Sequence, residues 1–215
     1  MFASIRRYVA HLTPVDLLAQ RVDQGFAPLI SAQSGFVSYE FLDCGGGEVI
    51  TVSVFRSAGQ AEDSRELARR WTDESLEDFE FTLTDALHGR IVVRRATEAL
   101  LAPAHPESDA GFTAVRRYKL PTRSVRDVMH LADRSLADQI AQLQGFSHYC
   151  AIDCGDGDAV SISRFRARMG AEASDQLAAR FVSEQPSSFE IERSEWVGGG
   201  PVLVSRAATD ALQAS

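Results

Sequence analysis

The chain has 215 residues, 45% hydrophobic and 24% charged, the composition of a folded protein with room for one large domain or two of about 100 residues. Thirty acidic against 22 basic residues give a net charge of -8, the wrong sign for a surface that neutralises phosphates, so nucleic acid is not an expected partner. No apolar run is long enough to span a membrane, Arg6 and Arg7 stand where a secretory signal would be apolar, and three cysteines are too few for a disulfide framework, so no membrane association and a cytoplasmic location are expected.

Residues 2–9, rich in β-branched and aromatic types, read as a strand. Thr13 is expected to cap a helix with Pro14 at its first position, and Val15, Leu18, Val22, Phe26 and Leu29 follow at three- and four-residue steps, an amphipathic helix of roughly 18 residues. Gly35 ends it. Phe36 to Leu42 and Glu48 to Arg56 read as a hairpin around Asp43-Cys-Gly-Gly-Gly47, whose glycines supply the positive φ of short turns. Ala61, Ser64, Leu67, Ala68 and Trp71 share one stripe of a second helix, with Glu62, Arg65, Glu66 and Arg69 off it. Phe79, Phe81 and Leu83 alternate, and Arg90 to Arg94 form a last strand entered through Gly89. The order is βαββαβ.

That order then returns. Phe2-Ala-Ser-Ile-Arg-Arg-Tyr8 recurs as Phe112-Thr-Ala-Val-Arg-Arg-Tyr118, Gly35-Phe36 as Gly145-Phe146, Asp43-Cys-Gly45 as Asp153-Cys-Gly155 and Phe55-Arg56 as Phe165-Arg166, all at an offset of 110. After Gly198-Gly-Gly200 the offset becomes 111, so that Arg95-Ala96 matches Arg206-Ala207. Residues 1–102 and 112–215 are therefore expected to be two repeats, joined by a linker over 103–111 that holds two prolines and small polar residues. A βαββαβ unit is ferredoxin-like, α+β, with both helices on one face of an antiparallel sheet. The bare sheet faces have to be buried, and packing them sheet to sheet gives an intramolecular pseudo-dimeric α/β barrel, compatible with a monomer or with a homodimer of the fused chain.

A short strand, a helix, Gln33-Ser-Gly-Phe36 entering an apolar hairpin, then Val52-Ser-Val-Phe55 and a helix opening with Ala61-Glu62 resembles the antibiotic biosynthesis monooxygenase family of the dimeric α/β-barrel superfamily. The second repeat carries the same features in Leu143-Gln-Gly-Phe146, Ile162-Ser-Arg-Phe165 and Ala171-Glu172, so the resemblance covers nearly the whole chain twice. It implies a cofactor-independent oxygenase acting on an aromatic or quinone-like small molecule in the barrel cavity. The family also includes haem-degrading enzymes, which use a tryptophan on the second helix, an asparagine on the first strand and an iron-binding histidine. Trp71 stands on that helix here, but residues 2–9 and 112–119 hold no asparagine and neither second helix a histidine, so haem degradation is not implied.

Arg6 and Tyr8 share a face of the first strand with Phe2 and Ser4, and Ala3 and Ile5 take the other; Arg116 and Tyr118 repeat the arrangement. Small and aliphatic residues suit a helix-covered face, so the arginines and tyrosines are expected to point into the barrel. There they either hold an anionic or phenolic ligand, or pair with carboxylates and fill space. Tyr39, Ser53, Tyr149 and Ser163 offer hydroxyls either to a ligand or to cross-strand packing. Trp71, which becomes Phe181 in the second repeat, and His148, the one histidine on an expected strand, complete the candidate ligand-binding set. No spacing of His, Cys or carboxylates suits a metal, and neither a metal nor another cofactor is expected. Cys44 and Cys154 read as turn residues. The halves are expected to differ as sites, because Trp71 faces Phe181, Val54 faces Arg164 and Tyr39-Glu40-Phe41 faces Tyr149-Cys150-Ala151 across the repeat. Beside the oxygenase stand two alternatives, a non-catalytic small-molecule-binding or stress-related module and a purely structural barrel.

Overall fold

The computed structural model describes residues 1–97 and 111–208. The first repeat runs β1 (Phe2–Ala10), α1 (Val15–Arg21), a π turn (Val22–Phe26), α2 (Ala27–Ser31), β2 (Phe36–Gly45), β3 (Glu48–Phe55), α3 (Ala58–Ser75) and β4 (Phe81–Ala96). The second runs β5 (Phe112–Lys119), a 3-10 turn (Thr122–Ser124), α4 (Val125–Leu131), a π turn (Ala132–Leu136), α5 (Ala137–Ala141), β6 (Phe146–Gly155), β7 (Asp158–Phe165), α6 (Arg168–Glu184) and β8 (Glu192–Ala207), with a further 3-10 turn at Ser187–Phe189. The fold is α+β, with antiparallel strands and helices. No helix among the described residues is long and apolar enough to cross a membrane.

The expected long first helix is present but interrupted by a π turn, which adds one residue per turn and keeps Val22 and Phe26 both buried. Its cap differs from expectation: Pro14 takes the N-cap position without a side-chain bond, while Thr13 Oγ1 accepts from the Glu80 amide at 3.1 Å, tying the helix entrance to the start of β4. Asp23 in the π turn meets Arg206 at 2.5 Å, and the matching Asp133 meets Arg95 at 2.9 Å, so the same clamp recurs in both repeats. In the β2–β3 turn Gly45, Gly46 and Gly47 all have positive φ, and a Cβ on Gly47 would sit 2.5 Å from the Ala10 carbonyl oxygen. Asp43 Oδ1 accepts from the Gly45 amide at 2.8 Å, which makes the Asp-Cys-Gly signature turn chemistry. Ser57 and Gln60 form a capping box at the start of α3, whereas the matching Ala167 leaves α6 without a side-chain cap.

The chain divides into two compact units that do not follow the repeat boundaries: Met1–His88 with the chain from Val202 onward, and Gly89–Pro201. The strand order is β4–β1–β3–β2–β8 in the first and β8–β5–β7–β6–β4 in the second. The cause lies in β4 and β8, each 16 residues long and each continuous where two shorter segments were expected for β4. The second half of β4 pairs with β6 (Ile91 with Ile152), and the second half of β8 with β2 (Phe41 with Val204). The stretch expected to link the repeats lies outside the described residues except for Gly111.

In the first unit the core between helices and sheet is built from Leu18, Val22, Phe26, Ile30, Tyr39, Phe41, Phe55 and Trp71. In the second, Val128, Leu136, Ile140, Phe146, Tyr149 and Phe165 do the same. The opposite sheet face of the first unit carries Ala3, Ile5 and Ile50, all fully buried.

Candidate functional site

On β1 the expected division of faces is present, but its orientation is reversed. Arg6 and Tyr8 lie on the helix-covered face, where they line a cavity with Leu18, Val22, Phe26, Tyr39, Thr51, Ala68, Trp71 and Phe81. The small and aliphatic Ala3 and Ile5 take the other face. The reason is size: two helices held above a sheet leave room for rings and a guanidinium, and Tyr39, Phe41 and Tyr8 fill it.

The cavity has about 40 Å³ of free space, enough for a carboxylate-sized group, and its rim residues Tyr8, Thr72 and Phe81 are half-exposed. Its walls are aromatic. Phe26 packs edge-on to Tyr39 with centroids 5.5 Å apart and lies 5.3 Å from Trp71, while Tyr8 meets Phe81 at 5.8 Å. Gly25 admits the indole, since a Cβ there would lie 3.0 Å from Trp71 Cζ2; the matching pair in the second repeat is Ser135 and Phe181.

The polar floor is Arg6, only 6% exposed, and its Nη2 finds no hydrogen-bond partner among the described residues. Burial pulls its guanidinium below the ordinary arginine pKa, an effect that Tyr8 and Tyr39 partly oppose. Burial likewise pushes the Tyr8 and Tyr39 phenols up, so both remain protonated donors at neutral pH. Ser53, across the ladder from Ser4 and Tyr39, does not line the cavity, and its buried Oγ is also without a partner.

The second unit has a cavity of similar size, about 40 Å³, lined by Tyr118, Tyr149, Phe181, Met129, Ala151 and Ser161, but Arg116 is not part of its wall. Arg116 is 0% exposed and closed by its neighbours: Nε donates to Asp175 Oδ1 at 2.8 Å, Nη1 to Ser163 Oγ at 3.1 Å and Nη2 to Ser174 Oγ at 2.7 Å. Arg193 also pairs with Asp175. Burial opposes ionisation of Asp175, but the hydrogen bonds and charges of Arg116 and Arg193 outweigh it and hold its carboxyl below the usual carboxylate range. Sequence reasoning missed Asp175, although the repeat offset contained the signal: the residue 110 positions earlier is Arg65.

Of the remaining candidates, Ser163 belongs to the Arg116 network rather than to a cavity, and His148, half-buried on β6 in register with Arg164 and Ala96, lines neither cavity. Burial pushes the Cys154 thiol up to about 12, which makes it a poor nucleophile. Among the described residues no three His, Cys, Asp or Glu side chains gather where they could hold a metal.

An α+β fold with an aromatic cavity between antiparallel sheet and helices is the class this geometry defines. A candidate monooxygenase from Lactobacillus acidophilus is similar in structure (TM-score 0.68, 12% identity, covering 96% of this chain and 95% of that one). So is a candidate monooxygenase from Fusobacterium nucleatum (TM-score 0.72, 5% identity, 96% and 94%). An anthrone oxidase-like protein matches over 100% of this chain and 96% of its own, with TM-score 0.60 and 14% identity. These likenesses establish the fold alone, α+β with antiparallel strands and helices. No family model and no curated sequence matches the chain.

Proposed function

We propose that the first unit binds a small aromatic molecule and oxidises it with O2, and that the two repeats are the intramolecular counterpart of a dimeric α/β barrel. The 110-residue offset and the pairing of β8 with β2 and of β4 with β6 support the second part. The observation that carries the first is the buried Arg6 guanidinium with a free donor, in a cavity walled by Phe26, Tyr39, Trp71 and Phe81. The names of the structural neighbours are consistent with oxygenase chemistry.

The lining residues include no histidine and no carboxylate, and the two phenols are held protonated, so the cavity supplies no base of its own. The substrate must therefore be acidic, and Arg6 with the Tyr8 hydroxyl lowers its pKa by stabilising the resulting phenolate or enolate oxygen. Such an anion supplies the electrons that O2 requires. A doubly activated ring methylene becomes a carbonyl: one atom of O2 becomes the carbonyl oxygen on that carbon and the other leaves as water with the two methylene hydrogens, with no external reductant. The space beside Arg6 takes the substrate's oxygen, and the ring, larger than that space, lies toward the half-exposed rim of Tyr8, Thr72 and Phe81. The test is oxygen uptake with anthrone at neutral pH, comparing the protein with its Arg6→Met variant. Turnover that falls at least tenfold in the variant supports this reading, and uptake no faster than in buffer with the unaltered protein refutes it.

A further inference from the structure

The two repeats treat the same arginine in opposite ways. Arg6 and Arg116 occupy matching positions on β1 and β5, opposite Thr51 and Ser161 in register. Ser53 and Ser163 match as well, as do Ser64 and Ser174, each of which donates to a carbonyl three residues back at 2.7 Å. One position breaks the correspondence. The second repeat places Asp175 beside the guanidinium, whereas the first has Arg65, paired instead with Glu62 at 2.7 Å. All three side-chain nitrogens of Arg116 are thus bonded, although Ser161 Oγ opposite it and Arg193 Nε in the same network have no partner among the described residues, whereas in the first unit the arginine itself is left open at Nη2, with Ser53 Oγ also unpartnered.

A buried guanidinium with no carboxylate bonded to it opposes folding; the neighbouring guanidinium at position 65 adds to that cost and Glu62, itself paired with Arg65, offsets it from a distance. Such an arrangement is what a site for an external oxyanion requires, because the ligand supplies the charge that the chain withholds. The second unit shows a carboxylate beside the matching arginine: Asp175 Oδ1 accepts from Arg116 Nε at 2.8 Å, next to Nη2, which donates to Ser174 Oγ and is the atom left open in Arg6.

We infer that position 65 decides whether a repeat accepts an exogenous carboxylate: Arg65 leaves Arg6 open to the carboxylate of an aromatic acid, while Asp175 is a built-in occupant of the equivalent slot on Arg116. This rests on the reading of the first-unit cavity as a small-molecule site, and it specifies the ligand's anionic group. The aromatic walls around Arg6 select an arene bearing the carboxylate over a bare inorganic anion. Glu62 completes the device by holding Arg65 on the helix surface, clear of the cavity wall.

The experiment titrates the full chain with benzoate and, separately, with anthrone, following binding by calorimetry and the melting temperature against equal concentrations of sodium chloride. The unaltered chain binds one benzoate and gains melting temperature beyond the chloride control. Arg65→Asp weakens benzoate at least tenfold and weakens anthrone as well, because the new carboxylate occupies the Arg6 donors that both ligands use, and Arg65→Gln, which adds no carboxylate, retains most of the benzoate affinity. Asp175→Ala lowers the melting temperature, and formate or acetate restores it where chloride does not. Benzoate binding unchanged by Arg65→Asp overturns the proposal, as does failure of formate and acetate to restore Asp175→Ala. If the unaltered chain binds anthrone but not benzoate, the carboxylate assignment falls and the small-molecule site stands. If it binds neither, both fall.

Discussion

At the scale of single residues, Arg6 and Arg116 should respond to the same substitution with opposite signs. Arg6→Met removes a guanidinium whose Nη2 has no partner, so the ligand-free protein should melt higher, while affinity for an anionic ligand should fall by about 1.5 to 3 kcal/mol. Arg116→Met breaks bonds to Asp175, Ser163 and Ser174 and should destabilise the protein by roughly 1 to 3 kcal/mol. Thermal melts of the two variants side by side decide the matter, and a destabilised Arg6→Met would count against the open site. Asp175 adds a pH dependence. Its folded pKa is depressed, so the unfolded chain binds its proton first as pH falls; the stabilising contribution is present above the unfolded value of about 3.9 and is lost as pH drops through the lower folded value. Asp175→Asn should remove that part of the acid-side slope in urea midpoints measured from neutral pH downward. The sequence made Arg6, Tyr8 and their repeats visible, because alternation on a strand is a strong signal. It could not orient the sheet, since a face is chosen by what the helices leave uncovered, and Tyr39 and Phe41 favour the helix side only once the hairpin register is known.

Among the elements, the hairpins and both long helices of each repeat were legible in turn glycines and in the 3.6-residue stripe, whereas the π turns were not. A π turn shifts the stripe by one residue, and Val22 with Phe26 fits an uninterrupted helix equally well on paper. Its consequence is local: it aligns Gly25 with the Trp71 ring, with no space for a side chain between them. Gly25→Ser should therefore cost about 1 to 3 kcal/mol by overpacking, whereas in the Trp71→Phe background, which reproduces the Ser135–Phe181 pair of the second repeat, the same change should be nearly neutral. Urea unfolding of the four proteins of this cycle measures the coupling. Additive costs would show that the close approach is unimportant.

For the whole molecule, the 110-residue offset is visible in the sequence but the sharing of strands is not. Repeat identity is written in local pairs such as Gly35-Phe36 and Gly145-Phe146, whereas strand partnership depends on the length of β4 and β8, which glycines at positions 89 and 198–200 disguise as breaks. The Cβ that Gly89 lacks would lie 2.1 Å from the Asp153 carbonyl oxygen, so that glycine permits a continuous strand to pass close to β6. The first repeat thus ends in a strand whose second half pairs only with residues of the second, from Arg90 with Asp153 to Ala96 with His148, and its β2 depends on β8 for the partners of Ser38 to Leu42. A fragment of residues 1–102 alone would expose the β2 edge and leave the last half of β4 unpaired, two complementary defects in one chain. Two copies can cure both by exchanging β4, so the fragment should form a dimer with antiparallel β4–β2 pairing. Sedimentation equilibrium across a tenfold concentration range tests this, with a cooperative unfolding transition that strengthens with concentration as the expected result. A folded, concentration-independent monomer would mean that strand sharing is dispensable, and that each repeat carries enough core between its helices and three inner strands to stand alone.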